Sequence, residues 1–71
     1  MIAAYILIQT EASKAAIVAA ALRAVPGVSE AASLAGRYDV IARAQARSID
    51  ELTEPVTSQI QALDGVRRTM S

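Results

Sequence analysis

The chain has 71 residues, with no cysteine and no histidine, and its seven basic and seven acidic residues give a formal net charge of zero. The absence of both residue types excludes disulfides and every metal or nucleophile site that depends on histidine or cysteine. A balanced charge leaves no basic surplus to neutralise phosphates, so we expect no direct nucleic-acid binding by this chain.

The composition predicts a single domain over residues 1–71 that gains stability from association. Hydrophobic residues make up 54% of the chain and aromatic residues only 3%. A chain of this length buries only about 60% of its unfolded surface, and small aliphatic side chains fill little volume, so burial against further copies is expected. The apolar N-terminus is too short to cross a membrane and lacks the basic start of an export signal. We expect a cytoplasmic homo-oligomer without a cofactor, a bound metal or a membrane partner.

The first half of the chain predicts a strand, a helix and a second strand. Residues 2–9 form an apolar run of strand length with β-branched side chains. Residues 15–24 have strong helix propensity, and Pro26-Gly27 ends that helix. Residues 28–35 alternate less clearly as a second strand. Gly36-Arg37 then fits a type II′ hairpin turn, because glycine comes first in a two-residue loop.

The second half predicts a third strand, a second helix and a last strand. Residues 38–46 alternate between an apolar and a more polar face. Ser48 and Glu51 form a capping box, and an apolar stripe at helical spacing follows it. Pro55 lies well inside this helix, where proline should cost about 3 kcal/mol or produce a kink, and the sequence offers no compensation. Gly65 ends the helix and Val66 begins the last strand.

An internal repeat predicts how these elements combine. The segment Val25-Pro26-Gly27-Val28 returns 38 positions later as Leu63-Asp64-Gly65-Val66, and at the same offset Val18 matches Val56. Each half therefore reads as one β-α-β unit, and two such units give the split βαβ of ferredoxin-like folds. We predict an α+β fold of order βαββαβ, in which an antiparallel four-stranded sheet carries two helices on one face.

That fold leaves the second face of the sheet uncovered. The repeat offset matches Tyr5 and Leu7 to the polar side of the third strand. Scattered surface hydrophobes are common, but a tyrosine and a leucine together without a charge favour a sheet-to-sheet interface with a second copy. The residues predicted for this interface share the uncovered face and are Ala3, Tyr5, Leu7, Ile41 and Arg43.

Four parts of the sequence resemble a known family over nearly the whole chain. They are the segment Val25-Pro26-Gly27-Val28, the turn and apolar strand Gly36-Arg37-Tyr38-Asp39-Val40-Ile41-Ala42, the helix positions Leu52, Val56 and Ile60, and Gly65-Val66-Arg67-Arg68-Thr69. Together they resemble the ligand-binding domain of the Lrp/AsnC family, the regulation-of-amino-acid-metabolism (RAM) domain. The turn and apolar strand are the most specific of the four.

The resemblance implies an assembly and a ligand class. Such domains form dimeric α+β barrels by packing sheet on sheet, and the dimers assemble into rings of eight or ten. Small effectors, usually amino acids, bind between dimers. Family members usually carry a helix-turn-helix before this domain, so the chain resembles the stand-alone form. They also usually continue the last strand with apolar residues past the position of Ser71.

The resemblance also implies ligand-binding positions, which are Gly36, Arg37, Tyr38, Asp39 and Thr69. From the residues alone, Gly36 serves the turn, Tyr38 either roofs a pocket or fills the core edge, and Thr69 is an ordinary strand residue. The carboxylate of Asp39 follows a tight turn and is predicted on the uncovered face. It can receive the ammonium group of an amino acid through charge-assisted hydrogen bonds, or form a surface ion pair with Arg43 or Arg37.

Three functional hypotheses remain at this stage. The first is a non-catalytic module that binds an amino-acid effector and oligomerises in transcription control, joining or modulating a full-length Lrp/AsnC regulator. The second is a small dimeric α+β-barrel enzyme of the monooxygenase or isomerase type, for which only Asp39 with Tyr5 or Tyr38 could transfer protons. The third is a structural oligomer without a ligand.

Overall fold

A computed structural model describes residues 1–34 and 38–70. The strands are β1 (Ile2–Thr10), β2 (Val28–Ser33), β3 (Val40–Ala46) and β4 (Val66–Met70). Helix α1 (Ala15–Arg23) joins β1 to β2. A second helix joins β3 to β4 in three parts, namely α2 (Ile49–Glu51), a π-helical turn (Leu52–Val56) and α3 (Thr57–Gln61). The strands form one antiparallel sheet in the order β2-β3-β1-β4, which confirms the predicted ferredoxin-like fold.

The alternation of β1 and β3 determines which sheet face packs on the helices. Val40, Ala42 and Ala44 of β3 are completely buried, as is Ile8 of β1. Cross-strand partners share a face, and β1 pairs with β3 from Ile2↔Ala46 to Ile8↔Val40. These side chains form one core with the buried residues of both helices, which include Val18, Leu22, Val56 and Ile60. Both helices therefore cover the same face.

The predicted strand ends differ from the observed ones near residue 36. The structure ends β2 at Ser33 and begins β3 at Val40, although the alternation predicted strands over 28–35 and 38–46. Tyr38 and Asp39 precede β3, and the amide of Asp39 donates to the carbonyl of Ile8, which the β1–β3 ladder pairs with Val40. The predicted type II′ turn at Gly36-Arg37 lies outside the described residues.

The second helix begins as predicted and contains an explanation for Pro55. The amide of Glu51 donates to the hydroxyl of Ser48 at 3.3 Å, which is the first half of the capping box. Pro55 lies in the π-helical turn, where the amide of Thr57 donates to the carbonyl of Leu52, five residues earlier. A proline in a regular helix clashes with the carbonyl four residues before it. The wider turn changes that spacing, and π-helical turns often occur at functional sites.

The two repeat-related glycines make equivalent contacts. Gly27 and Gly65 both have positive φ, +96° and +94°. A Cβ atom on Gly27 would lie 2.9 Å from Val56, and one on Gly65 would lie 3.0 Å from Val18. Val18 and Val56 are themselves related by the 38-residue offset, so each glycine turn packs on the helix of the other repeat. The repeat is thus present in the packing as well as in the sequence.

Candidate functional site

Asp39 joins three strands at one end of the sheet. Its Oδ2 atom accepts a hydrogen bond from the amide of Thr10 at 2.8 Å. Its own amide donates to the carbonyl of Ile8 at 3.0 Å, and its carbonyl accepts from the amide of Leu34 at 2.7 Å. No hydrogen bond from another described residue reaches Oδ1. Asp39 is therefore both a structural residue and a carboxylate with one oxygen available.

The hydroxyl of Tyr38 reaches strand β4 at the same end of the sheet. Tyr38 is half-buried, and its hydroxyl donates to the sulfur of Met70 at 3.7 Å. Because β1 lies between β3 and β4, this contact spans the central strand. Met70 is the cross-strand partner of Leu7. Tyr38 therefore connects the residues directly before β3 with strand β4.

Thr69 lies on the other side of the sheet from the predicted interface. It pairs with Ile8, which is completely buried among the helices, so its side chain faces the helical layer. Its hydroxyl accepts a hydrogen bond from the side-chain amide of Gln61 at 3.2 Å. The structure brings Tyr38 and Asp39 together at one end of the sheet, but it directs Thr69 into a separate contact. Gly36 and Arg37 lie outside the described residues.

The sheet face opposite the helices, here called the open face, carries the residues predicted for an interface. Tyr5 is 60% exposed and Ala3 is exposed, whereas Leu7, Ile41 and Arg43 are half-buried. Tyr5 pairs with Arg43, and Leu7 pairs with Ile41. A shallow depression of about 290 Å³ lies between β1, β2 and β3 on this face, and its lining includes Tyr5, Ile41 and Arg43.

A local network fixes Arg43 on the open face. Its Nη1 atom donates to the hydroxyl of Ser29 at 3.0 Å and to the side-chain carbonyl of Gln45 at 2.9 Å. The Ser29 hydroxyl in turn donates to the backbone carbonyl of Arg43 at 3.0 Å. The ion pair considered between Asp39 and Arg43 does not occur among the described residues. The Arg43 guanidinium bonds to Ser29 and Gln45, and the Asp39 carboxylate bonds to the Thr10 amide.

Sequence reasoning missed the bond from Thr10 to Asp39, and it missed the contacts of Gln45, Ser29 and Met70 as well. Gln45 lies two residues after Arg43 on the same strand face, so the period of the strand could have indicated that pair. Ser29 could not be found in this way, because an irregularity between Val28 and Glu30 shifts the β2–β3 register. Met70 could not be assigned to Tyr38 without the strand order.

Residues 1–34 and 38–70 contain neither a cluster of metal-binding side chains nor a membrane-spanning helix. Within these ranges, no three acidic side chains gather in a way that could hold a metal ion. Within the same ranges, no helix is long and apolar enough to cross a membrane.

The fold and the segments around this site agree with a known domain. The family model for the Lrp/AsnC ligand-binding domain matches residues 3–71. The chain belongs to this family, which confirms the resemblance found in its turn and glycine segments. No curated protein matches the chain.

Solved structures agree with the family match. The chain is similar to TTHA0845 from Thermus thermophilus, with 34% identity and a TM-score of 0.88, covering 99% of this chain and 88% of that one. It is similar to the hypothetical protein PHS023 from Pyrococcus horikoshii, with 31% identity and a TM-score of 0.88, covering 99% and 84% respectively. It is also similar to AsnC of E. coli, with 28% identity and a TM-score of 0.83, covering 96% of this chain but 46% of AsnC.

Proposed function

We propose that the chain is a non-catalytic effector-binding and oligomerisation module of Lrp/AsnC-type transcription regulation. The observation that carries this proposal is the match of residues 3–71 to a ligand-binding domain. It is supported by the carboxylate of Asp39, which the backbone amide of Thr10 holds in place. The proposed effector is an amino acid or a similar zwitterion. The module acts in the cytoplasm, and it joins or modulates a full-length regulator of the same family rather than contacting nucleic acid itself.

The proposed effector site is the segment of residues 36–39. The Thr10 amide orients the carboxylate of Asp39, and Oδ1 remains available to accept from the ammonium group of a ligand. Tyr38 lies beside it with its hydroxyl on Met70. We include Gly36 and Arg37 in this site because they directly precede Tyr38 in the sequence and match the family's ligand-binding positions. Thr69 can contribute to ligand binding only if its hydroxyl leaves the hydrogen bond with Gln61. That bond is 3.2 Å long and exposed, so a ligand could replace Gln61 as the partner of Thr69.

A neighbouring copy completes the site in this proposal. The described residues of one chain provide no enclosed polar cavity at the turn, and a ligand carboxylate needs donors of its own. We propose that copies pair through the open face, where Tyr5 is 60% exposed. Dimers then assemble into rings of eight or ten, and effectors bind between dimers.

A thermal-shift screen against the proteinogenic amino acids tests the ligand. A ligand at ten times its Kd stabilises the folded state by about 1.4 kcal/mol, which raises the Tm of a domain this small by several degrees. We expect one amino acid or one chemical class to give this rise. A screen in which none of them moves the Tm, at concentrations up to tens of millimolar, contradicts the proposal.

Two substitutions locate the site. Asp39→Asn keeps an oxygen that can accept from the Thr10 amide but removes the negative charge, so we expect the apo Tm to change little and the effector-induced rise to disappear. Asp50→Asn is the matched control, because Asp50 is an exposed carboxylate at the start of α2, and its response should equal that of the unaltered chain. An Asp39→Asn protein that responds normally shows that the site lies elsewhere.

The enzyme hypothesis gains no specific support from the structure. It would need Asp39 to exchange protons with Tyr5 or Tyr38. Among the described contacts, the Asp39 side chain bonds to the Thr10 amide, while the Tyr38 hydroxyl donates to Met70. These contacts do not connect an acid with a base.

A further inference from the structure

Three strands place a tyrosine, an arginine and a glutamate in one row across the open face. Tyr5 of β1 pairs with Arg43 of β3, and Arg43 pairs with Glu30 of β2. The next residue of β2, Ala31, belongs to the core on the helical side, so Glu30 faces the opposite way. Both charged residues line the depression of about 290 Å³ on this face. We call Glu30 and Arg43 the charged row.

The two groups of the charged row do not bond to each other. No ion pair joins them among the described residues. The Nη1 atom of Arg43 instead donates to Ser29 and to Gln45. Glu30 is exposed, and its carboxylate accepts no hydrogen bond from another described residue. Each copy therefore presents one carboxylate that lacks a partner on the open face.

Arg43 is held in place and still has donors to offer. A guanidinium group carries five N–H donors, and the bonds to Ser29 and Gln45 use only those of Nη1. The Ser29 hydroxyl also donates to the backbone carbonyl of Arg43, which ties the side chain to its own strand. The Nε and Nη2 donors remain, and together they match the two oxygens of a carboxylate. Arg43 is therefore a fixed receptor for a carboxylate that its own chain does not supply.

We propose that the charged row selects the partner of the open face, with Arg43 of each copy binding Glu30 of the other. The inference rests on the open-face contact of the proposed function and adds the contact that decides which chain is accepted. A two-fold interface is self-complementary, so each contact between two residues occurs twice. Two packed sheets lie about 10 Å apart, a gap that an arginine and a glutamate reaching from opposite sides can bridge.

Charge complementarity favours a second copy over other occupants. Covering the Glu30 carboxylate without a cation costs its hydration, so whatever lies over the charged row must bring a positive group. A small anion would satisfy Arg43 but would lie beside the carboxylate of Glu30, its cross-strand partner. A second copy brings one guanidinium group and one carboxylate, and it satisfies both residues at once.

The position of the row indicates selection of a partner rather than strength of binding. Glu30 lies on β2, an edge strand of the sheet, and is exposed. Matched charges at an exposed rim add little affinity, whereas like charges that face each other are strongly unfavourable. A chain that carries the wrong sign at either position is therefore rejected, and reversal of the charges is the informative change.

Two charge reversals test the proposal. Glu30→Arg gives a row with two positive charges, and Arg43→Glu gives a row with two negative charges. We expect each variant alone to self-associate about 100-fold more weakly than the unaltered protein. An equimolar mixture should form a mixed dimer with a Kd within tenfold of the native value, because both contacts are then restored with opposite signs. Sedimentation measures the affinities, and native mass spectrometry identifies the mixed dimer.

Arg68→Glu is the charge-matched control. It changes the net charge by the same amount as Arg43→Glu, and Arg68 lies on the same face because it pairs with Gln9 of β1. Mixed with Glu30→Arg, it should show no preference for the mixed dimer. A mixed dimer as strong as that formed with Arg43→Glu shows that net charge or Arg68 itself attracts Glu30, and it overturns the proposal.

The double variant Glu30→Arg/Arg43→Glu guards against a loss of folding. Like charges on neighbouring strands weaken a sheet, but the double variant keeps opposite charges within the row, and its Tm should lie near that of the unaltered protein. We expect it to self-associate within tenfold of the native Kd. A folded double variant that stays monomeric overturns the proposal. Single variants that self-associate like the unaltered protein also overturn it, yet they leave the open-face contact intact, whereas a monomeric unaltered protein removes that contact itself.

Discussion

At the residue scale, the structure changes the role of Asp39. The sequence predicted a carboxylate on the uncovered face, available to a ligand or to a surface ion pair. Instead, Oδ2 accepts from the amide of Thr10, a residue that is only 8% exposed. Removing this acceptor leaves a buried donor without a partner, and an unpaired donor costs more than the bond itself contributes. Asp39 is thus part of the sheet and of the proposed effector site at once.

We predict that Asp39→Ala lowers the free energy of unfolding by about 1–3 kcal/mol, because the Thr10 amide loses its acceptor. Asp39→Asn should lose less unfolding free energy, because the side-chain amide oxygen can still accept from the Thr10 amide. Urea unfolding measures both values. Asp64→Ala provides the control, because that exposed carboxylate has no hydrogen bond or ion pair in the described structure. If Asp39→Ala and Asp64→Ala are equally stable, the Asp39–Thr10 bond contributes nothing to the fold.

At the scale of elements, the second helix combines a proline with a π-helical turn. The carbonyl of Leu52 accepts from the backbone amide of Thr57 and also from its hydroxyl, the latter at 2.8 Å. Two donors on one carbonyl hold the chain in the wider turn, which places Leu52 and Val56 in the core and Pro55 at the surface. The proline is therefore compatible with the helix because the helix is not regular there.

We predict that Thr57→Val destabilises the protein by about 0.5–1.5 kcal/mol, the usual contribution of one hydrogen bond. Thr53→Val is the matched control within the same turn, because Thr53 is exposed and its hydroxyl has no hydrogen bond in the described structure. Thermal unfolding of the two variants gives the comparison. Equal Tm values would show that the Thr57 hydroxyl does not support the turn.

The glycine turns of the two repeats give a second prediction at this scale. Gly27→Ala adds a methyl group 2.9 Å from Val56 at a positive φ, so we expect a loss of about 1–3 kcal/mol from the backbone conformation alone. Gly65→Ala should behave similarly, because its contact with Val18 is related by the repeat. Replacing Val56 with alanine in the Gly27→Ala background should relieve the close contact of the new methyl group, but not the cost of the positive φ. Denaturant unfolding of the four proteins, with the Val56→Ala single variant included, tests whether the glycine and valine are coupled.

At the scale of the whole molecule, the sheet has one covered face and one open face. A domain of this size gains relatively little from its own core, and the exposed Tyr5 and half-buried Leu7 lie side by side on the open face. The proposed effector site stands at one end of that face. Assembly is therefore the level at which we expect the function to be completed.

We predict that the unaltered protein is a dimer or larger at micromolar concentration and that Tyr5→Asp shifts it toward the monomer. Burying an unpaired charge in a sheet-to-sheet contact is strongly unfavourable, and Tyr5 is exposed enough for the variant to fold. Leu7→Asp should have the same effect. Ile17→Asp is the control, because Ile17 is equally exposed, at 60%, but lies on α1. Light scattering measures the masses, and a monomeric unaltered protein would contradict the open-face interface.

The sequence by itself determined the order of elements, the covered and open faces of the sheet, and the family. Periodicity sufficed for the faces because side chains on a strand alternate with a fixed period of two. The repeat sufficed for the topology because it showed the same β-α-β unit twice. The residues of the site were named from a resemblance, and only part of that set is brought together in the chain.

Only the tertiary structure decided the rest, because it depended on contacts between distant segments. The bond from Thr10 to Asp39 joins residues 29 positions apart, and no local pattern encodes that pairing. The direction of Thr69 followed from its register with Ile8, which sequence alternation in a five-residue strand could not establish. Local periodicity determines which face a residue occupies, but strand register decides which residue it meets.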